Sequence, residues 1–314
     1  MTGPHRLLRY LAVLLAAGLA AATMGAETLY RFVDENGTPV FTDRAPPPGV
    51  AAQTSDLDGP AATGGVSVTQ GFANGELQLT ARNDSYAPVQ LVLDISALYN
   101  VALPPPEQPR EFLVAPRSSM QLLALAAELG SAAPGIDYRY RWLAGDPQAQ
   151  HAPPEPYRAP FALAGRHPVT QAWPDTATHT TLDSRYAIDI AMPVGTDVVA
   201  ARGGMVIDTE SEQFRSGFDQ DPATANLVRI LHDDGTFAVY AHLNRSTIRV
   251  RPGERVARGD YIADSGNTGY SSGPHLHFAV MRNAGMRFTS VPVQFAGPGG
   301  TAITAVSGRE LVAW

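Results

Sequence analysis

The chain has 314 residues, a formal net charge of −7 and no cysteine. A chain of this length can form two or three domains, each with a hydrophobic core of its own. The negative charge argues against nucleic-acid binding as the main task. The absence of cysteine excludes disulfide bonds and a lipoprotein cleavage motif, so core packing alone must hold the domains together.

Residues 1–26 have the pattern of a secretory signal peptide. His5, Arg6 and Arg9 form a basic start, an apolar run follows from Leu11, and small residues precede a cleavage point. An uncleaved membrane anchor is the alternative, although the run is short for a spanning helix and no second run of that length follows. We therefore expect a protein that is exported across the inner membrane and works in the periplasm or the cell envelope.

Residues 27–48 are predicted to form a small β-hairpin module. Apolar residues flank Asn36-Gly37, a dipeptide that favours a tight hairpin turn, and a run of three prolines ends the unit. The segment resembles a short secreted module of unknown function found at the front of bacterial envelope proteins. The resemblance implies a location more than a chemistry. Residues 49–65 are rich in Ala, Gly, Asp and Ser and are predicted to be a linker.

Residues 66–146 alternate short apolar runs with turn clusters. Several short strands at regular spacing predict a β-sandwich of immunoglobulin-like character. This region has no histidine cluster, so we expect a structural or substrate-positioning role. The predicted strands are Val66–Val68, Leu77–Ala81, Val89–Ile95, Phe112–Val114, Met120–Leu125 and Tyr138–Trp142. The proline-rich residues 147–160 are predicted to be a second linker.

Residues 161–314 are predicted to form a mostly antiparallel β domain, because amphipathic helical periodicity is nearly absent there. The fold class expected for the whole chain is therefore mostly β, with a sandwich preceding an antiparallel C-terminal domain. The strands predicted in the C-terminal domain are Ile188–Ile190, Asp197–Ala200, Gly204–Asp208, Asn226–His232, Thr236–His242, Ser246–Val250 and Leu276–Met281.

Two histidines share one face of the last predicted strand. His275 and His277 alternate with Leu276 and Phe278, and successive strand residues point to opposite faces. A glycine-rich loop, 265–274, precedes them and allows close approach of the backbone. This geometry suits metal chemistry, and the alternative is a polar strand face that carries two histidines without function.

Asp189 and His242 are further candidates. Asp189 is an acid between Ile188 and Ile190, and a buried acid is costly unless it is paired or binds a metal. The alternative is an aspartate that caps a turn or pairs with arginine. His242 lies at the end of the predicted strand Thr236–His242, a position where sites are often built.

These residues belong to a series of motifs in a fixed order. The motifs are Tyr186–Asp189, Pro193–Thr196, Ala201–Gly204, Tyr240–Leu243 and Ser265–Phe278. Together they resemble the M23 (lysostaphin/LytM-type) family of zinc metallopeptidases. The resemblance implies a zinc-dependent endopeptidase that acts on peptidoglycan peptides of the bacterial cell wall. It also implies that Asp189 and His277 are zinc ligands, and that His242 and His275 are an unligated pair that activates water and steadies the oxyanion.

The chain departs from the family pattern at one position. The usual first ligand is a histidine four residues before the aspartate, and this chain has Arg185 there. Arginine remains protonated and has no lone pair to offer a metal. We expect His179, on the preceding loop, to fold back and supply the third ligand.

Two alternatives to a regular zinc site remain open. One is a weak or unusual metal site, and the other is a degenerate domain that binds peptidoglycan or regulates a wall hydrolase. In the second case an envelope protein would be a further partner. Degenerate regulators typically lose most site residues, whereas Asp189, His242, His275 and His277 are all present, which favours the enzyme.

Overall fold

The structure is a computed structural model, and it describes residues 28–33, 39–42, 53–56, 65–103, 110–128, 133–221 and 224–314. The predicted signal peptide, 1–26, lies outside the described residues. The chain divides into two compact units, Met1–Pro60 and Ala61–Trp314. Within the described ranges, no helix has both the length and the apolar character needed to cross a bilayer.

The first unit contains a small antiparallel sheet. Its strands are β1 (Thr28–Val33), β2 (Pro39–Thr42) and β3 (Gln53–Asp56). The strand order is β2-β1-β3, so β1 and β2 pair as the predicted hairpin requires. Strand β3 lies inside residues 49–65, where the sequence predicts a linker. Because β3 covers the second edge of β1, part of that segment belongs to the sheet.

The second unit begins with two three-stranded antiparallel sheets that share one apolar core. The strands are β4 (Val66–Ala73), β5 (Glu76–Asn83), β6 (Val89–Tyr99), β7 (Glu111–Val114), β8 (Ser118–Ala126) and β9 (Gly135–Ala144). The sheet orders are β4-β5-β8 and β7-β6-β9. Alternate residues Leu77, Leu79 and Ala81 of β5 are buried, as a half-buried strand requires. All six predicted strands fall within these elements, and the immunoglobulin-like character stays a prediction.

A nine-stranded antiparallel sheet dominates the rest of the unit. Its order is β16-β13-β14-β15-β18-β11-β10-β22, and β19 also pairs with β18. Its strands are β10 (Arg166–Gln171), β11 (Ile188–Ala191), β13 (Gly204–Glu210), β14 (Leu227–Leu231), β15 (Phe237–Ala241), β16 (Arg255–Val256), β18 (His275–Asn283), β19 (Phe288–Val291) and β22 (Glu310–Val312). Two small sheets pair β12 (Asp197–Val199) with β17 (Tyr261–Asp264) and β20 (Phe295–Ala296) with β21 (Ala302–Ile303). The predicted mostly β, antiparallel fold class is therefore confirmed for the described residues.

The main apolar core covers one face of this sheet. Tyr240, Phe278 and Ile230 are fully buried there, and they come from the three adjacent strands β15, β18 and β14. The opposite face carries alternate residues of the same strands. At one end of that face, Phe237 packs in a second cluster with Ala87 of the sandwich. The other end of the face stays open.

A polar contact also joins the sandwich to the sheet. Asn283 is fully buried, and its Nδ2 donates to Gln90 Oε1 at 2.9 Å and to Gly145 O at 3.1 Å. Because an unpaired buried amide would be costly, this contact fixes the sandwich against the end of β18. The sandwich therefore covers the end of the sheet face that lies away from the histidines.

Two sequence-based expectations differ from the structure. Residues 246–250 do not form a strand, since Ser246 adopts a left-handed backbone with φ +58° and the following residues are irregular. The predicted linker 147–160 packs against the C-terminal sheets: Tyr157 is 1% exposed, and its N–H donates to Gln294 O. Strands β10, β16, β17, β19, β20, β21 and β22 were not predicted from the sequence.

Candidate metal centre

A single row of paired residues crosses the open face of the nine-stranded sheet. Antiparallel pairing aligns Gln171 with Asp189, Asp189 with His277, and His277 with Ala241. Directly paired residues point to the same face of a sheet. His275 lies two residues before His277 on β18 and shares that face. The row therefore places an acid between an amide and two imidazoles.

Asp189 is the centre of the cluster, and its side chain is 6% exposed. Its Oδ2 accepts a hydrogen bond from Gln171 Nε2 at 2.6 Å and lies 3.2 Å from His179 Nε2. Its Oδ1 lies 2.9 Å from His277 Nδ1 and 3.7 Å from His275 Nε2. Burial alone would raise the pKa of Asp189, but the neighbouring imidazoles of His179 and His277 outweigh burial and lower that pKa. Among the described residues its ion-pair partners are all histidines, so the alternative of an arginine pair is not observed.

His179 reaches Asp189 from the loop 172–187, which connects β10 to β11. Its Nδ1 lies 3.1 Å from the carbonyl oxygen of Ala187, and its ring is buried. The loop is also anchored to β19, because Ser290 Oγ accepts a hydrogen bond from Tyr186 N at 3.0 Å. The structure therefore brings His179 to the same carboxylate as His277, with ring centroids 5.0 Å apart.

Three of the histidines share a tautomer. Nδ1 of His242 lies 2.6 Å from Thr268 O, and Nδ1 of His275 lies 2.8 Å from Gly273 O. In the same way, Nδ1 of His179 lies 3.1 Å from Ala187 O. A carbonyl oxygen can only accept, so each Nδ1 carries the proton. In the neutral rings, each Nε2 therefore keeps its lone pair.

His242 follows the last residue of β15 and has a left-handed backbone with φ +62°. Its ring centroid lies 4.5 Å from that of His275 and 5.8 Å from that of His277. Burial, together with the neighbouring His277 and His275, lowers the pKa of His242 to about 3. His242 is therefore neutral at ambient pH. A left-handed backbone at a residue other than glycine is uncommon and recurs at functional sites.

The cluster lies on the floor of a groove with a volume of about 800 Å³. Apolar side chains from β14, β15 and β18 extend the floor away from the histidines. These are Leu227, Val239, Ala241 and Met281. Phe218 and Tyr270 form an aromatic wall, with ring centroids 5.2 Å apart, and the loop that carries His179 forms a polar wall. The histidines therefore line an open groove.

The donor set of His179, Asp189 and His277 fits a zinc ion. Their candidate ligand atoms all lie within 4.8 Å of one another. The Nε2 lone pair of His179 faces Asp189 Oδ2, so two electron-pair donors oppose each other and need a proton or a cation between them. Two imidazoles and one carboxylate are a ligand set that catalytic zinc accepts, with a fourth position left for water.

Arg185 does not approach this donor set. Its guanidinium lies over the ring of Trp173, 5.8 Å from the centroid. The position that the family pattern reserves for a ligand is therefore used in a cation–π contact with an aromatic side chain.

Gln171 is the contributor that the sequence analysis missed. It donates to Asp189, and its Oε1 accepts from the main chain of the loop that carries His179. A glutamine at the end of a short polar strand belongs to no metal-ligand motif, so no signal in the sequence pointed to it.

The model of peptidase family M23 matches residues 183–288, and a domain of unknown function, DUF4124, matches residues 12–64. Peptidoglycan DD-endopeptidase ShyA of Vibrio cholerae is 36% identical over 115 residues, which are 37% of this chain and 22% of that protein. Glycyl-glycine endopeptidase ALE-1 of Staphylococcus capitis is 34% identical over 102 residues, 32% of this chain and 25% of that protein.

The matched segment thus spans about a fifth to a quarter of the length of these relatives. Among solved structures, the catalytic domain of the M23 protein EnpA from Enterococcus faecalis is 27% identical, with a TM-score of 0.31, and the match covers 40% of this chain and 88% of that chain. Family M23 peptidases depend on zinc, which agrees with the donor set. Residues 183–288 therefore match peptidase family M23, the family that the motifs resemble, and residues 12–64 match DUF4124.

Proposed function

We propose that the protein is an exported zinc metalloendopeptidase that hydrolyses peptide bonds of bacterial peptidoglycan, in stem peptides or in cross-links. The observation that carries this proposal is the buried carboxylate of Asp189, surrounded by imidazoles on the floor of an open groove. The relatives named peptidoglycan DD-endopeptidase and glycyl-glycine endopeptidase support the substrate class.

In this proposal Asp189, His277 and His179 hold the zinc. Bound zinc supplies Lewis-acid polarisation of the scissile carbonyl and lowers the pKa of water to about 7. The hydrogen bond from Nδ1 of His179 to Ala187 O orients the ring and leaves Nε2 free toward Asp189. Such a bond to the second ring nitrogen is the usual device that orients a metal-binding histidine.

His275 is the proposed general base. Its ring lines the groove, and its Nε2 carries a lone pair and lies 3.7 Å from Asp189 Oδ1. In the proposed step, the water oxygen attacks the peptide carbonyl while His275 accepts the proton of that water. The same proton then passes to the leaving amine as the C–N bond breaks.

His242 has a different proposed role from that of His275. Its ring is neutral at ambient pH, and its Nδ1 proton is committed to Thr268 O. Its Nε2 can therefore accept a hydrogen bond and orient the attacking water. The family resemblance implies that the pair also steadies the oxyanion, but a neutral ring of this tautomer has no proton left to donate. That donation therefore requires the protonated form, which His275 reaches after it takes the proton from water.

The proposed location is the periplasm or the cell envelope. The basic and apolar start of the chain supports export, and peptidoglycan as the substrate would require it. DUF4124 adds no chemistry of its own to the proposal.

The test is digestion of purified peptidoglycan by the zinc-loaded protein, with His275→Ala as the control. The proposal expects new amino termini in the released peptides, detected by amine labelling and mass spectrometry, and none above background with the control. Absence of new amino termini from zinc-loaded wild type would contradict the peptidase and leave a peptidoglycan-binding module. Full turnover by His275→Ala would contradict the catalytic assignment.

A further inference from the structure

The side chain of Gln171 joins the two parts of the candidate metal centre. Gln171 is the last residue of β10 and is paired with Asp189 on β11. The pairing of β10 with β11 shifts register between Val169 and Gln171, as a β-bulge does. Bulges beside active sites re-aim side chains. The shift therefore sets the direction in which Gln171 approaches the carboxylate.

The two ends of the Gln171 amide differ in their partners, apart from the Thr178 hydroxyl, whose Oγ1 also lies 3.3 Å from Oε1. Nε2 donates to Asp189 Oδ2 at 2.6 Å and to Thr178 Oγ1 at 3.0 Å. Oε1 accepts from Ala177 N at 2.7 Å and from Thr178 N at 2.9 Å. Main-chain N–H groups can only donate and a carboxylate can only accept, so the orientation of the amide is unambiguous. Each end of the amide therefore has hydrogen-bond partners that it alone can satisfy.

These contacts matter because His179 follows Thr178 directly. Gln171 Oε1 accepts two hydrogen bonds from the main chain just before His179, and Ala187 O accepts one from the ring on the other side. A ligand on a strand would be positioned by the sheet itself, whereas His179 depends on the order of its loop. Gln171 connects that loop to the sheet.

We propose that Gln171 is a positioning residue that sets zinc affinity by holding the Asp189 carboxylate and the His179 loop in one arrangement. This inference rests on the proposed function, since it takes Asp189 and His179 as ligands. Gln171 itself is not a ligand, because its amide oxygen faces the loop and not the carboxylate.

The test measures zinc affinity by competition with a chromogenic chelator, using wild type, Gln171→Met and Gln171→Asn. Methionine keeps the length of the side chain and loses every hydrogen bond. Asparagine is one methylene shorter and cannot reach both partners at once. Loss of such an outer partner weakens metal binding by about 10- to 100-fold, and we expect this range for Gln171→Met and a smaller loss for Gln171→Asn.

The matched control is Thr170→Val on the same strand. Thr170 Oγ1 donates to the main-chain oxygen of Asp189 at 3.2 Å and does not touch its carboxylate. We expect its zinc affinity to stay within about twofold of wild type, since the carboxylate keeps its partners.

A second readout separates positioning from general stability. Positioning predicts that the zinc-induced rise in unfolding temperature shrinks in Gln171→Met, because zinc binds the folded state less tightly. A merely structural role would lower the zinc-free and the zinc-bound unfolding temperatures equally and leave their difference unchanged, which would overturn the inference.

The possible failures of the two proposals are distinguishable. If wild type binds zinc and Gln171→Met binds it equally well, the role of Gln171 is overturned while the proposed function stands. If wild type binds no zinc, both fall. If Gln171→Met does not fold, Gln171→Asn decides, and an unchanged affinity in Gln171→Asn overturns the inference.

Discussion

The C-terminal domain buries two aspartates whose charges are satisfied in opposite ways. Asp234 lies in the turn between β14 and β15, and its side chain is 9% exposed. Arg202 Nη1 donates to it at 2.6 Å, Thr236 Oγ1 at 2.6 Å, and the main-chain N–H groups of Thr236 and Ala152 at 3.0 Å. Asp189 lies on β11, and its partners are the side-chain amide of Gln171 and the imidazoles of His179 and His277.

The difference shows which acid is structural and which is available for chemistry. The donors to Asp234 are permanent, since a guanidinium stays protonated and a main-chain N–H cannot be lost. The fold itself therefore supplies the hydrogen-bond donors that the Asp234 carboxylate needs, without a bound ligand. The partners of Asp189 include His179, whose Nε2 offers a lone pair where a donor is needed. The contact between the Asp189 carboxylate and His179 Nε2 is therefore favourable only when a proton or a cation lies between them.

The largest effect that this comparison predicts is the loss of metal in His277→Ala. Removing one of three ligands leaves a carboxylate and one imidazole, which hold zinc poorly. Zinc content should fall from near one per chain to near zero by elemental analysis. His167→Ala, which removes a histidine outside the cluster, should keep its zinc, and equal zinc in both variants would contradict the ligand assignment.

His275→Ala should keep zinc and lose turnover. The ring lies beside Asp189 but is not in the donor set, and a general base contributes about 10²- to 10⁴-fold to rate. Metal content and peptidoglycan digestion should be measured on the same preparation. Zinc lost together with activity would make His275 a ligand and refute the division of roles.

Asp234→Asn should alter stability with pH and leave zinc binding unchanged. Burial tends to raise the pKa of Asp234, but Arg202, Thr236 and Ala152 outweigh it and lower that pKa to about 2 from 3.8. The carboxylate therefore stabilises the fold fully above about pH 4, and this contribution disappears as the pH falls toward 2.

The difference between the pKa of Asp234 in the folded and the unfolded protein sets the size of this effect. The free energy of unfolding should change by about 2 kcal/mol. Urea unfolding with a chelator present should show the gap between wild type and Asp234→Asn shrinking by that amount between pH 7 and pH 2. A gap independent of pH would show that the folded protein does not depress the pKa of Asp234.

Arg185→Ala should have the smallest effect of this series. Its guanidinium contacts the exposed Trp173 ring, and such a contact contributes about 0.5–1 kcal/mol. Thermal unfolding should register a small loss of stability at unchanged zinc content. A marked loss of zinc would mean that the ring contact of Arg185 orders the metal centre.

Much of the fold could be predicted from local pattern. Strand β5 was found because its alternation matches a strand with one buried face, and β15 was found although both of its faces are buried. Strand β10 was missed because Arg166, His167 and Pro168 give it no apolar alternation, and it is a strand only through its partners β11 and β22. Residues 246–250 alternate correctly but lack a partner strand in the sheet.

The site could be predicted as far as its motifs extend. Asp189, His242, His275 and His277 lie in motifs of the family, and the structure brings them together. His179 was inferred from the absence of a ligand at position 185, and it lies before the matched family segment, residues 183–288. Gln171 could not be inferred, since its role depends on a bulge and on the path of a loop.

The central claim is that a loop histidine replaces the missing strand-proximal ligand. The most direct measurement is the zinc stoichiometry of purified wild type, His179→Ala and Arg185→Ala under metal-replete conditions. The account predicts about one zinc per chain in wild type and in Arg185→Ala, and a near-complete loss in His179→Ala. Zinc retained at one per chain in His179→Ala would contradict it.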